Sequence, residues 1–298
     1  MELHQLRTFV AVAEEGHLTR AAERLSVSQP AVSAHIKMLE GELGVPLFQR
    51  TSRGMRLTRE GSMLVAHARR VLAEISALLG QARSLNGRLC GVVSLGVNTD
   101  SGFLRLGDLS ARLRQAYPGL SLSLVNSNSW DIQRDVRRGD LDAGFVYADM
   151  PSEDLQSQCL RQVPFCVVGP ATWKDRINVA GWKEIAAMPW IWMANNCPFL
   201  DVLDERFARV GVEPTRHLKA DHEDILRALS IAGEGLTLMR QDEARIEADR
   251  GKLSIWPGEV LFLSLYLIML KRRQEETPLR ALRDMVAMAW TGLTCESA

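Results

Sequence analysis

A chain of 298 residues exceeds a single core of about 100–200 residues and predicts two or three domains. Hydrophobic residues make up 46% and charged residues 24%, which excludes a disordered chain. Lysine plus arginine equals aspartate plus glutamate at 36 each, so the total charge gives no sign of a polyanionic partner.

The N-terminus, MELHQLRTFVAVAEEG, is amphipathic and carries acids, unlike a signal peptide. Leu3, Leu6, Val10 and Ala13 step by helical spacings, and Gly16 ends that helix. Leu18, Ala21, Ala22 and Leu25 predict a second short helix with Thr19 as a cap, its alanines allowing close approach of another helix. After the tight SVSQ connection a third helix is predicted, capped by Ser28, with Pro30 in its first turn and Val32, Ile36, Leu39 and Leu43 buried. Its other face shows Gln29, Pro30, Ser33, Ala34 and Lys37. This is a helix-turn-helix pattern, although a plain helical bundle would give the same stripes. A slim polar face fits the major groove: glutamine bonds adenine edges, serine bonds several bases, alanine touches thymine methyls, and Lys37 reaches phosphate or guanine.

The next segment favours DNA. Residues 47–70 hold Arg50, Arg53, Arg56, Arg59, Arg69 and Arg70 against Glu60. In GVPLFQRTSRGMRLTREG, Pro46 stops the helix and two short strands flank a Ser-Arg-Gly turn. That is a wing carrying Arg50, Arg53 and Arg56 to a phosphate backbone or the minor groove.

The alanine pair, SQPAVS, LE..LG..LF.R and LT..G together resemble the winged helix-turn-helix of the LysR-type transcriptional regulators, without a gap over the first sixty or so residues. The resemblance implies double-stranded promoter DNA as partner, a linker helix and a C-terminal effector-binding domain. One departure is Ala34, where many members carry a long or basic residue; the contact made there by relatives is open here.

From Arg59 a long helix is predicted to Asn86-Gly87. Leu64, Ala68, Val71, Ile75, Leu78, Ala82 and Leu85 form a heptad seam, which needs a partner. The chain's own first domain could supply it, but a second copy of the helix fits better. The resemblance likewise implies a homodimer through this helix, assembly into a homotetramer, and RNA polymerase as a further candidate partner. Two recognition helices in one dimer imply an interrupted near-palindromic site.

Beyond Cys90 short strands alternate with helices, which predicts an α/β fold with largely parallel sheets in two lobes. The run LFLSLYLIML at 261–270 is shorter than the roughly 20 residues of a membrane span and reads as a buried strand, so no membrane partner is expected. The family resemblance implies the fold of periplasmic solute-binding proteins, with the chain crossing between lobes near Arg161–Pro164 and returning near Ser264–Leu267. The expected division is 1–58 for the winged helix-turn-helix, 59–87 for the linker, and 88–298 for the effector domain. Its lobe I takes 88–162 with 266–298, and its lobe II takes 163–265.

In such sheets ligands bind beyond the carboxyl ends of strands, at helix N-termini. That places Asn98, Thr99, Asp100 and Ser101, then Asn128 and Ser129, then Tyr147, then Asn196, Cys197 and His222 around a cleft. Serine, asparagine and aspartate at these points also serve as plain helix caps. Asp100, if it faces the cleft, opposes a carboxylate and favours an amine or hydroxyl. A small-molecule effector is expected, and no cofactor.

Cys197 precedes Pro198 and a helix, a position that favours thiolate. Peroxide-sensing members of the family use a cysteine in this part of the second lobe, with another about ten residues on. The window DVLDERFARVG has none, which weighs against this alternative. The five cysteines, odd and without a CxxC pair, point to neither a zinc site nor a secreted disulfide framework, so the cytoplasm is expected. A cytoplasmic solute-binding receptor is a further alternative. No GxSxG, HExxH or P-loop supports an enzyme.

Overall fold

A computed structural model describes residues 1–51, 54–84, 89–148, 152–193 and 198–290, without the side chains at 73, 76, 77 and 79–84. Three helices open the chain: α1 (Leu3–Glu15), α2 (Leu18–Leu25) and α3 (Gln29–Leu43). A hairpin of β1 (Phe48–Thr51) and β2 (Gly54–Leu57) follows, then the long α4 (Arg59–Ser84). Leu6, Phe9, Val12, Ala21, Ala22, Val32, Ile36, Leu39 and Leu47 form one core, with Phe9 edge-on to Phe48 at 5.6 Å.

Some local expectations change. Helix α1 is turned so that Leu6, Phe9 and Val12 take the core, while Leu3, Val10 and Ala13 are only partly buried. The helix carries two overlapping apolar stripes, and the one holding the largest ring wins. His17 holds the N-cap position of α2, without a side-chain bond, and Thr19 lies exposed inside the helix. Helix α3 stops at Gly44, in the left-handed region at φ 71°, before Pro46 is reached, and Leu43 is exposed.

Thr58 joins hairpin to linker: its hydroxyl donates to the Pro46 carbonyl at 2.7 Å and accepts from the Gly61 amide at 2.8 Å. Gly61 is needed there, since a Cβ would lie 2.1 Å from the Leu47 carbonyl oxygen. The first turns of α4 pack on the first core through Val65 and Ala68, with Leu64 and Leu72 beside them. Of the predicted seam, Val71 and Leu78 are exposed, at 42% and 64%. Ala82 and Leu85 lie outside the described side chains.

The rest runs β3 (Cys90–Val97), α5 (Leu106–Ala116), β4 (Gly119–Asn126), α6 (Ser129–Arg138), β5 (Ala143–Ala148) and β6 (Leu155–Pro170). Then come α7 (Lys174–Asn178), α8 (Trp182–Ala187), β7 (Pro189–Met193), α9 (Pro198–Val210), β8 (Thr215–Ala220) and α10 (Glu223–Ile231). The chain closes with β9 (Thr237–Arg240), α11 (Gln241–Asp249), β10 (Leu253–Ile255), β11 (Leu261–Leu270) and α12 (Thr277–Ala289).

The main sheet has the order β10-β6-β11-β5-β3-β4, with β9 also on β6, and β7 and β8 pair apart from it. Among the described residues parallel pairing joins β3 to β4 and β5, and β7 to β8, with one isolated parallel bridge between Trp190 and Leu236. The expectation of largely parallel sheets therefore needs correcting. Strand β6 runs sixteen residues and β11 returns along it, so their pairing is antiparallel, as are β11 with β5 and β6 with β9 and β10. A strand that leaves one half of a fold and a strand that returns to it run in opposite directions and pair accordingly. The segments expected to cross lie within this pair, where Leu265 faces Arg161 and Ser264 faces Gln162. Among the described residues no helix is long and apolar enough to cross a membrane.

Candidate DNA-reading helix and effector cleft

Ser28 caps α3, its hydroxyl accepting from the Ala31 amide at 3.3 Å. Gln29, Ser33 and Lys37 follow at intervals of four, on one face of the helix. Gln29, Pro30, Ala34 and Lys37 are exposed and Ser33 is half-buried. Glu40, which sequence reading passed over, fixes the hairpin to this helix: its carboxylate accepts the Leu47 amide at 2.7 Å and the Phe48 amide at 3.2 Å. Helix and hairpin are thus presented as one unit.

In the hairpin Arg56 stands opposite Gln49, and Arg50 opposite Met55. Directly opposed residues share a face, so Arg50 and Arg56 lie on opposite faces. Both are exposed; Arg53 lies outside the described residues. Arg69 leaves the basic block altogether. It pairs with Glu14 at 3.2 Å and reaches Asp140 at 4.0 Å.

Near the ends of β3 and β5 a cleft of about 780 Å³ opens. Asn98, Thr99, Asp100, Ser101, Asn128, Ser129, Tyr147 and His222 all line it. Asn196 and Cys197 lie outside the described residues. Several of these side chains are committed to the fold. Asn128 caps α6 by accepting the Asp131 amide at 2.9 Å. Ser129, almost fully buried, accepts from the Tyr147 amide at 3.0 Å and the Asn98 side-chain amide at 3.1 Å. Asp100 accepts the Phe103 amide at 2.8 Å, and His222 accepts the Asp224 amide at 3.3 Å. The cap reading therefore holds for Asn128 and His222 alongside their place on the cleft wall. Asp100 is not a helix cap: it closes the turn that precedes α5, whose N-cap position is held by Arg105.

Sequence reading missed the charged floor. Arg240, at the carboxyl end of β9, is 4% exposed. It bonds Asp242 at 3.0 and 3.1 Å, Glu243 at 2.7 Å and the Thr99 hydroxyl at 3.1 Å, with its guanidinium 3.8 Å from the centre of the Phe103 ring. The Thr99 hydroxyl donates onward to Glu223 at 3.1 Å. Burial, and then the neighbouring Glu243, push the Glu223 carboxyl up to about 7. Burial likewise raises Glu243. The signal was present: LTLMRQDE puts an arginine at a strand's carboxyl end, followed by acids, the place the strand-end rule indicates. Tyr147 packs its ring on Phe165 and Phe199 at 5.5 and 5.2 Å, and burial raises its phenol.

Cys90 and Cys166 are free thiols and Cys159 is disulfide-bonded. Burial pushes the Cys166 thiol up to about 12, which makes it a poor nucleophile. Among the described residues no group of three or more His, Cys, Asp or Glu is placed to hold a metal.

The family model of the bacterial regulatory helix-turn-helix protein, lysR family, matches residues 3–62, and that of the LysR substrate binding domain matches residues 86–291. The chain belongs to the LysR family of transcriptional regulators. This LysR regulator is 36% identical over 178 residues to the HTH-type transcriptional regulator IlvR of Caulobacter vibrioides, an overlap covering 58% of this chain and 60% of that protein. It is 29% identical over 241 residues to a hydrogen peroxide-inducible genes activator of Dickeya chrysanthemi, covering 80% and 79% of the two chains. Its fold matches that of CbnR, a LysR family regulator, with a TM-score of 0.70 at 22% identity over 97% of this chain and 99% of the other.

Proposed function

We propose that this LysR regulator reads an interrupted, near-palindromic promoter site with the α3 helices of two chains, and that a small-molecule effector in the cleft changes its assembly on DNA. The observation that carries this is the slim face of exposed Gln29 and Lys37 with half-buried Ser33 between them, fixed to an arginine-bearing hairpin by Glu40. Val71 and Leu78, exposed on α4, are the seam through which two chains pair, and pairs of dimers form the tetramer. The division at residues 58 and 87 follows from this, as does the split into lobes 88–162 with 266–298 and 163–265. The solved full-length CbnR complexed with its target DNA lends support from a protein of the same fold. The cytoplasm and RNA polymerase complete the setting.

Gln29→Ala and Ser33→Ala are expected to relax sequence preference, losing roughly 1–3 kcal/mol at a contacted base pair. Equal losses on specific and random duplexes would show that these residues do not read bases. Arg56→Ala should weaken binding on all sequences alike and lower the slope of log affinity against log salt by about 1. Fluorescence anisotropy across a salt series measures both effects, and an unchanged slope would remove Arg56 from the interface.

A second reading, thiol-based redox sensing through Cys197, is favoured by the 29% identity to hydrogen peroxide-inducible genes activators. It is tested by Cys197→Ser: promoter output that still switches with peroxide in this variant excludes Cys197 as the sensor.

A further inference from the structure

We propose that the effector of this regulator is an organic cation, presenting a primary ammonium or a guanidinium group to the Glu223 side of the cleft. This rests on the effector-cleft reading above and adds the chemical class.

Three observations converge. First, Asp100, Asp131, Asp221, Glu223, Asp224 and Glu243 line the cleft. They come from the turn after β3, from α6, from the start of α10 and from α11. Asp131 pairs with Arg134, Asp224 with Arg227 and Glu243 with Arg240, which leaves Asp100, Asp221 and Glu223 without an ion pair among the described residues. Second, the nearby arginines are already engaged. Arg240 is consumed by Asp242, Glu243 and Thr99, and Arg227 bonds Asp224 at 2.6 Å and stands 3.9 Å from Glu243. Arg240 therefore has no free guanidinium to offer a carboxylate ligand, and Arg227 is balanced by two carboxylates. Third, two buried oxygens on the cleft wall make no hydrogen bond of normal geometry among the described residues: the Asn98 carbonyl oxygen, and the hydroxyl of Tyr147, a side chain 1% exposed, which has Thr99 and Arg240 beside it. Buried polar atoms in native proteins are nearly always paired, so the Asn98 oxygen marks where a ligand's polar group sits.

What these groups share is acceptance. A carboxamide oxygen and a carboxylate only accept, and a phenol oxygen can accept. Ammonium and guanidinium groups only donate, and satisfy such a set without leaving an unmatched lone pair. An incoming carboxylate would add charge where Glu223 is already pushed up to about 7 by burial and Glu243. Phe199, Met193 and the Tyr147 ring supply an apolar wall for the ligand's carbon skeleton and a ring face for its charge.

The test uses the full chain and probes of matched size: agmatine, putrescine and L-arginine as cations, glutarate and benzoate as anions. Agmatine or putrescine at saturating concentration is expected to raise the unfolding temperature by several degrees, with the anions giving no shift. Glu223→Gln should weaken the effective cation at least ~10-fold, because one partner of a desolvated charge pair is lost. Asp100→Asn is the companion variant, expected to weaken it too, should Glu223→Gln fold poorly. Stabilisation by glutarate or benzoate with none by the cations, no shift with any cation, or an undiminished affinity in both variants would each overturn the proposal. Anisotropy on promoter DNA separates this from the regulatory reading. A cation that binds the cleft and leaves the DNA complex unchanged keeps the ligand class and removes the effector role. An anion that binds and alters the DNA complex does the reverse.

Discussion

Arg240→Ala is expected to destabilise the C-terminal region by about 3–5 kcal/mol. The guanidinium is 4% exposed and holds Asp242, Glu243 and Thr99 while stacking on Phe103. Truncation leaves Glu243 and Glu223 facing each other in a desolvated cleft with their nearest compensating charge gone. The loss comes from stranded carboxylates rather than from the worth of one pair. The double variant Arg240→Met with Glu243→Met should therefore recover part of it. Tryptophan fluorescence suits the measurement, because all seven tryptophans, from Trp130 to Trp290, lie beyond the first core and α4. A loss below about 1 kcal/mol would mean that solvent already screens the cluster.

Glu223 makes stability depend on pH in an uncommon direction. Its carboxyl is pushed from an ordinary 4.5 up to about 7 in the folded chain. Between these values the folded state binds more protons than the unfolded state, so stability falls as pH rises through that window. Below 4.5 the group is protonated in both states and the contribution is fully present. The size is about 2 kcal/mol once partial exposure is discounted. Glu243 is raised for the same cause and acts in the same direction. Glu223→Gln removes the Glu223 share, so the difference between wild-type and variant unfolding temperatures should widen in the variant's favour from mildly acid to neutral pH. A constant difference would show that Glu223 titrates as an ordinary exposed glutamate. The same titration bears on the ligand class, since a cation bound to Glu223 requires the ionised form.

Much of this was legible in the chain. The cap at Ser28, the alanine pair and the slim face of α3 depend on neighbours within a few residues, and sequence spacing reports such neighbours directly. The cleft rim was legible for the same reason: each of its segments closes a strand and opens a turn or helix. What was hidden depends on partners far along the chain. Arg240 meets Thr99 across 141 positions, and Thr99 meets Glu223 across 124. No local pattern encodes such pairs. The antiparallel β6–β11 pair was hidden too, because a continuous apolar run looks alike in either direction. The rotation of α1 was missed for a smaller reason: four residues fitted a stripe, yet Phe9, with the larger ring to bury, sat one step off it.

The most direct measurement is selection of bound sequences from a random double-stranded library by the full chain, with Gln29→Ala in parallel. The regulator reading predicts enrichment of two half-sites related by a two-fold axis, their centres about one helical turn or a multiple of it apart, with preference at one position per half-site lost in Gln29→Ala. Retention of an unenriched pool by binding that simply fades with salt, or an identical enriched sequence from both proteins, would contradict it.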